Sequence, residues 1–266
     1  MTNDRNVIGP LELDLYIPSL GVSFEYHGDY YHSYNKAETK KQRYKHHIKA
    51  TKCCEKSINL IQIFEHEWLS RTEVLKSMIL HKLHRSTPIY ARKCKLEVVR
   101  GSFFEGNHLY GNRPGSITYG LVYGDNVVCA MSFARHQSYE WEIMRFSNKV
   151  FYNVVGGASK ILSHFIKMVQ PKSILTFADR RFGNGNLYSS LGFTQVAITE
   201  PGYRYWKSGK ILSRYKCQKS KLHRLLANFD CDLTESENMF NHGYRRLWDA
   251  GHIKFLWCGQ KENNEN

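Results

Sequence analysis

What the chain is short of narrows its class first. It has seven cysteines, an odd number, and no CxxC pair. That disfavours a disulfide framework and a cysteine-ligated zinc site, so reduced thiols and no structural zinc are expected. The adjacent pair Cys53 and Cys54 is a poor candidate for a bridge, and packing is its plain account. No run of about 18 apolar residues occurs, and the opening Met-Thr-Asn-Asp-Arg has no apolar leader core. A soluble protein without a membrane partner follows. Acids are also scarce, with 24 Asp plus Glu against 38 Lys plus Arg and a formal charge of +14. That surplus favours a polyanion such as nucleic acid, against the plain alternative of a basic surface. The apolar share of 42% and aromatic share of 14% suffice for a core. The 266 residues suit one large domain or two modest ones.

Two runs near the start alternate. Leu11, Leu13, Leu15 and Ile17 oppose Glu12, Asp14 and Tyr16, and Val22, Phe24 and Tyr26 oppose Ser23, Glu25 and His27. Period two marks strands, and the turn from Pro18 to Gly21 makes them a hairpin. A basic helix is predicted over residues 36–55, a buried strand over 57–64, and an amphipathic helix from Glu65 toward Pro88. Strand, helix, strand predicts a parallel crossover. A domain boundary is predicted at 86–95, where "STPIYARKCK" restarts strand character. Beyond it come strands at "SITYGLVYG", "NVVCAMSFAR" and "YEWEIMRFSN", a helix at "GGASKILSHFIKMVQ", then "SILTFAD", "GNLYSSLGF" and further short strands. The final "KENNEN" is expected to fray.

The hairpin pleat predicts Glu12 and Asp14 on one face beside Glu25 and His27, with His32 on the following loop. Carboxylates suit Mg2+ or Mn2+, and a neutral histidine can move protons. An acidic strand face is also commonly just the wet side of a sheet. From Lys36 to Lys52 the basic run carries Lys36, Lys40, Lys41, Arg43, Lys45, Lys49 and Lys52 against Glu38 alone, which suits phosphates. Tyr30, Tyr31 and Tyr34 could stack on bases or simply pack.

Residues 10–70 resemble the very-short-patch-repair-like nucleases of the PD-(D/E)xK superfamily, closest to phage homing endonucleases of the EDxHD group. The carrying residues are Leu-Asp14-Leu-Tyr, Glu25-Tyr-His27-Gly, Tyr-Tyr-His32 and "LIQIFEHEW". The resemblance implies Asp14 on the metal, His27 as catalytic histidine and His32 as its second, with Glu25 at a variable position. His27 stands where the superfamily usually has lysine. Relatives place a glutamate-bearing helix before the first strand, whereas ten residues precede Leu11 here. Glu12 could serve instead, and a catalytically inactive DNA-binding remnant stays open.

Residues 95–205 resemble a GNAT-type N-acetyltransferase. Asn153-Val-Val-Gly156-Gly-Ala158 matches its pyrophosphate loop except at the first residue, and "LYSSLGF" its later segment. Glycines opening a helix let amides approach an anion, although a tight turn is the simpler account. The run from Arg204 to Arg224 has no acid and interleaves Tyr203, Tyr205, Trp206 and Tyr215, which suits nucleic acid.

The expected fold is α/β (α+β): a restriction-endonuclease-like mixed sheet with helices over 1–86, then a GNAT-like mixed α/β domain over 95–258. The expected function is an Mg2+- or Mn2+-dependent endonuclease on double-stranded DNA in the cytoplasm of a host cell. Asp14 and Glu12 would hold the metal, and Asp14, His27, His32, Glu25 and Glu12 would be catalytic. Lys40, Lys41, Arg43, Lys45, Lys49, Arg180, Arg181, Arg204, Lys207 and Arg214 would contact DNA. The alternatives are the inactive DNA-binding remnant and an acetyl-CoA-dependent N-acyltransferase.

Overall fold

The computed structural model describes residues 1–34 and 39–259. Lys36 and Glu38 of the basic run, and the tail expected to fray, lie outside the described residues. The chain opens with β1 (Thr2–Ile8), β2 (Leu11–Ile17), β3 (Val22–His27), α1 (Asp29–His32) and β4 (Ser33–Tyr34). Next come α2 (Lys40–Arg43), α3 (Lys45–Glu55), β5 (Asn59–Phe64) and α4 (Glu65–Lys82). The middle holds β6 (Thr87–Tyr90), β7 (Lys95–Val98), α5 (Phe103–Asn107), β8 (Ile117–Tyr123), β9 (Asn126–Arg135) and β10 (Trp141–Asn148). Then follow β11 (Tyr152–Val155), α6 (Gly157–Val169), β12 (Ser173–Asp179), α7 (Asn186–Ser190) and β13 (Thr194–Ile198). The chain ends with β14 (Tyr203–Lys207), β15 (Lys210–Ser213), α8 (Lys219–Leu222), α9 (Glu235–Asn241), β16 (Arg245–Trp248) and β17 (His252–Cys258). The class is mixed α/β.

Two compact units share this chain. Unit 1 comprises Met1–Ser70, Asp179–Asn184 and Ile198–His252, and unit 2 comprises Arg71–Ala178, Gly185–Ala197 and the chain from Ile253 onward. The second domain expected over 95–258 is therefore interrupted, because the segment between β13 and β17 leaves unit 2 and returns. The boundary expected at 86–95 lies instead at Arg71, whose φ of −137° and ψ of 34° break α4. Pro88 ends nothing: β6 pairs in parallel with β11, Pro88 opposite Asn153.

In unit 1 the sheet order is β1-β2-β3-β5. The predicted hairpin is present, with Leu15 opposite Phe24, and β3 runs parallel to β5 from Val22↔Asn59 to His27↔Phe64. Strand β1 adds a polar edge that the sequence did not announce. The basic run forms two helices broken at Tyr44 (φ −94°, ψ 4°). Ile8, Leu13, Ala50, Cys53, Ile58 and Leu60 form the core beneath. A second sheet, β15-β14-β16-β4, covers Tyr205, Leu212, Cys217, Leu222 and Met239. Its helix α9 begins with a reciprocal cap: Glu237 N–H donates to Thr234 Oγ1 at 3.2 Å, and Thr234 N–H donates to Glu237 Oε2 at 3.0 Å. Thr234→Ala orphans a donor, so denaturant melts should show a loss of about 1 kcal/mol.

Unit 2 is built on a seven-stranded sheet in the order β13-β17-β12-β10-β9-β8-β7. Helix α6 buries Gly157, Ala158, Ile161, Leu162 and Phe165, the spacing of one helical face. Phe165 stacks on Phe133 of β9 with ring centroids 3.7 Å apart, and Trp141 of β10 meets it edge-on at 5.1 Å. That packing fixes where α6 begins.

Candidate functional site

The hairpin does bring Asp14 and Glu25 together. Asp14 N–H donates to Glu25 Oε1, and Tyr26 N–H to Asp14 Oδ2, both at 3.0 Å. Lys49 of α3 then pairs with Glu25, and both side chains are buried. Burial raises the Glu25 carboxyl above its ordinary range, with Lys49 opposing. Glu12 does not join them. Its Oε2 accepts from exposed Arg5 at 2.7 Å. Among the described residues, no group with three potential metal ligands includes Asp14, Glu12 or Glu25.

The histidines gather elsewhere. His27, at the end of β3, is 3% exposed, and its Nε2 lies 3.1 Å from Gln62 Oε1 on β5. His46 of α3 reaches the same oxygen through Nδ1 at 2.9 Å, and Gln62 Nε2 donates to the His46 carbonyl at 3.4 Å. His32 Nδ1 lies 3.3 Å from His46 Nε2. Burial holds His27 and His46 well below the ordinary histidine range, with mutual repulsion adding to it. Burial, aided by Lys45 and Lys49, lowers His32 to about 4. All three are neutral at neutral pH. His46 escaped the sequence reading, though "HH" at the start of a basic helix was its signal.

The expected DNA-contacting set divides. Lys40, Lys41, Lys45, Lys207 and Arg214 are exposed, while Arg43 and Arg204 are half-buried. Lys49, Arg180 and Arg181 are corrected, being buried at 8%, 7% and 2% exposure. Lys49 serves Glu25. Arg180 donates to Thr51 Oγ1 at 2.8 Å and the Ala250 carbonyl at 3.3 Å. Arg181 is bound by Glu67 and Asp179.

Unit 2 offers a different arrangement. Parallel strands β10 and β12 pair only at Trp141↔Ile174 and Glu142↔Leu175, then part. Helix α6 links them, so its N-terminus lies at the carboxyl edge of the sheet, where open α/β sheets bind ligands. Gly156 caps that helix at φ 77°, a left-handed conformation that favours glycine. Gly157 is needed for another reason, since a Cβ there would lie 3.0 Å from Cys129 Sγ. At the end of β10, Ser147 Oγ and Asn148 Oδ1 are buried without a hydrogen-bond partner. Next to β11 is a cavity of about 400 Å³ lined by Tyr90, Lys93, Tyr123, Lys149 and Tyr152, among others.

No family model and no curated protein matches the chain. Solved structures do. The ribosomal-protein-S18-alanine N-acetyltransferase from Escherichia coli is 9% identical, with a TM-score of 0.39 over 65% of this chain and 98% of that one. A Bacillus subtilis acetyltransferase in complex with CoA is 12% identical, with a TM-score of 0.37 over 62% and 99%. An acetyltransferase structure from Bacillus anthracis with acetyl coenzyme A is 12% identical, with a TM-score of 0.30 over 55% of this chain; the chain spans 64% of its length. At such identities the likeness does not reach substrate or activity.

The geometry above corrects the expected homing-type endonuclease. The Mg2+ or Mn2+ site on Asp14 and Glu12 is not assembled, because Glu12 turns to Arg5 and Lys49 occupies Glu25. His27 is sealed against Gln62 rather than open to a substrate. No helix among the described residues is long and apolar enough to cross a membrane.

Proposed function

We propose that unit 2 binds an acyl-CoA thioester and transfers its acyl group to an amine. The observation that carries this is the parting of β10 and β12 where α6 starts behind Gly156. A 13-residue helix directs free amide N–H groups and the positive end of its dipole at an anion, here the CoA pyrophosphate. The gap between the strands suits an extended pantetheine arm, whose amides could partner the orphaned Ser147 and Asn148. Tyr152 stands four residues before Gly156, about 13 Å along a strand, so the tyrosine- and lysine-lined cavity suits the adenine end. The amine nitrogen would attack the thioester carbonyl, the C–S bond would break, and the thiolate would take up the proton lost by nitrogen.

Calorimetry with acetyl-CoA tests the binding step. One equivalent per chain is expected, displaced by CoA, and a ligand at a hundred times its Kd should add about 2.7 kcal/mol to stability. No heat and no shift of the unfolding midpoint would remove the proposal.

A second reading, duplex DNA as a partner of unit 1, is favoured by its exposed cations. Lys207, Lys210, Arg214, Lys216 and Lys219 are exposed, and Tyr215, 71% exposed, has Lys221 over its ring. Phosphate contacts release counterions, so affinity in fluorescence anisotropy should fall linearly with log salt. Lys207→Ala, Lys210→Ala and Arg214→Ala together should flatten that slope by about 3. A slope unchanged by the triple substitution would exclude this face.

A further inference from the structure

We propose that His27, His32 and His46 form a binding site for a late divalent transition metal, with Zn2+ the first choice. The three residues come from three elements: the end of β3, the end of α1 and the start of α3. Each offers one ring nitrogen, and these atoms all lie within 4.8 Å of one another.

The hydrogen bonds say which nitrogens are free. Gln62 Oε1 can only accept, and its own amide is engaged with the His46 carbonyl. It therefore takes an N–H from His27 Nε2 and another from His46 Nδ1. That leaves lone pairs on His27 Nδ1 and His46 Nε2. Metal-bound histidines characteristically donate their other N–H to such an acceptor, which fixes tautomer and ring orientation. One glutamine does this for two of the three rings.

The spacing agrees. A tetrahedral zinc with Zn–N bonds of about 2.05 Å keeps its nitrogens about 3.3 Å apart. His32 Nδ1 and His46 Nε2 are already 3.3 Å apart. A metal would replace the proton now shared between them, and His32 would carry its hydrogen on Nε2. His32 is only half-buried, so the site has a route from solvent. An all-imidazole donor set selects zinc, nickel, cobalt or copper over magnesium, which prefers oxygen. Lys49 opposes a dication nearby, and Glu25, paired with it, offsets that charge. The missing CxxC pairs, which argue against cysteine-ligated zinc, do not bear on a histidine set. The site is independent of the acyl-CoA proposal, which concerns unit 2 alone.

The test titrates the full chain, stripped with chelator, with Zn2+ by calorimetry and with Co2+ by visible absorption. One equivalent is expected to bind, Co2+ should give the intense band of a four-coordinate site, and Mg2+ should not compete. His32→Ala touches the least buried ring and should weaken Zn2+ at least tenfold with an unchanged circular dichroism spectrum. Gln62→Leu, which removes the shared acceptor, should cost about 10- to 100-fold. Cys231→Ser is the control, because Asp230, Cys231 and Asp232 make the other possible ligand group among the described residues. Zn2+ binding that survives both His32→Ala and Gln62→Leu, or disappears in Cys231→Ser, would overturn the assignment. Failure to bind one equivalent would do the same.

Discussion

Arg181→Ala should lower the stability of unit 1 by about 3–5 kcal/mol, the cost of leaving buried charge without its partner. The Arg181 side chain is 3% exposed. Its Nη1 donates to both Glu67 oxygens at 3.0 and 2.9 Å, and its Nη2 to Asp179 Oδ2 at 2.9 Å. The guanidinium also lies 5.3 Å from the Phe64 ring centre and 4.9 Å from that of Phe182. Truncation strands two carboxylates, one 5% and the other 13% exposed on its side chain. Arg181→Lys should recover little, since one ammonium cannot serve two carboxylates as a planar fork does. Urea curves with a probe in each unit would check this, because only the unit 1 transition should move.

The same cluster sets a pH signature. Burial pushes Asp179 up, but the charges of Arg181 and His252 and the hydrogen bonds from Arg181 outweigh it and hold the carboxyl at about 2, against an ordinary 3.8. A depressed folded pKa contributes stability that is present above about pH 4 and is lost as pH falls toward 2. The wild-type midpoint should drop across that window. In Arg181→Ala this contribution to the drop should disappear.

These arginines also show why the sequence misled. "ADRRFGNGN" looks like an exposed cationic loop, because the partner that buries Arg181, Glu67, is 114 residues away. Local charge carries no information about such a closure. The hairpin was legible for the opposite reason: alternation over residues 11–17 and 22–27 is local, and so is the turn between them. Strand β1 was hidden because Thr2–Ile8 is polar and buries only Asp4 and Ile8. Asp4 is buried there because its Oδ1 accepts the N–H groups of Asn6 and Val7. The unit boundary was hidden because α4 reads as one amphipathic run, and the kink at Arg71 leaves no glycine or proline to mark it.

The carboxylate and histidine face was legible as a gathering of residue types, not as a chemistry. Period two put Asp14 beside Glu25 correctly. It could not say that Lys49, 24 residues on, would neutralise Glu25, or that Glu12 would turn outward to Arg5. Gln62 decides the state of two histidines and looked like an ordinary polar residue inside an apolar strand. The start of α6 was more readable, because a glycine pair between a strand and an amphipathic helix is a local pattern.

Lys49→Met is the second large effect expected, again about 3–5 kcal/mol, and here the remedy separates buried charge from lost packing. Glu25 is 1% exposed on its side chain and Lys49 10%. Burial already raises the Glu25 carboxyl despite Lys49, so removing the ammonium should raise it further. A carboxyl with a raised folded pKa contributes stability that is fully present below its unfolded pKa and is lost as pH rises through the folded pKa. The variant should therefore be worst at pH 8 and partly recovered at pH 5, as Glu25 takes up a proton. Glu25→Gln combined with Lys49→Met buries no charge, and the amide oxygen can still accept from Asp14 N–H. That double variant should regain most of the lost stability and lose the pH dependence between 5 and 8. Urea midpoints for the two single variants, the double and the wild type at both pH values give the coupling directly. A double variant no better than Lys49→Met would mean that the lysine stem, packed beneath the hairpin, matters more than its charge.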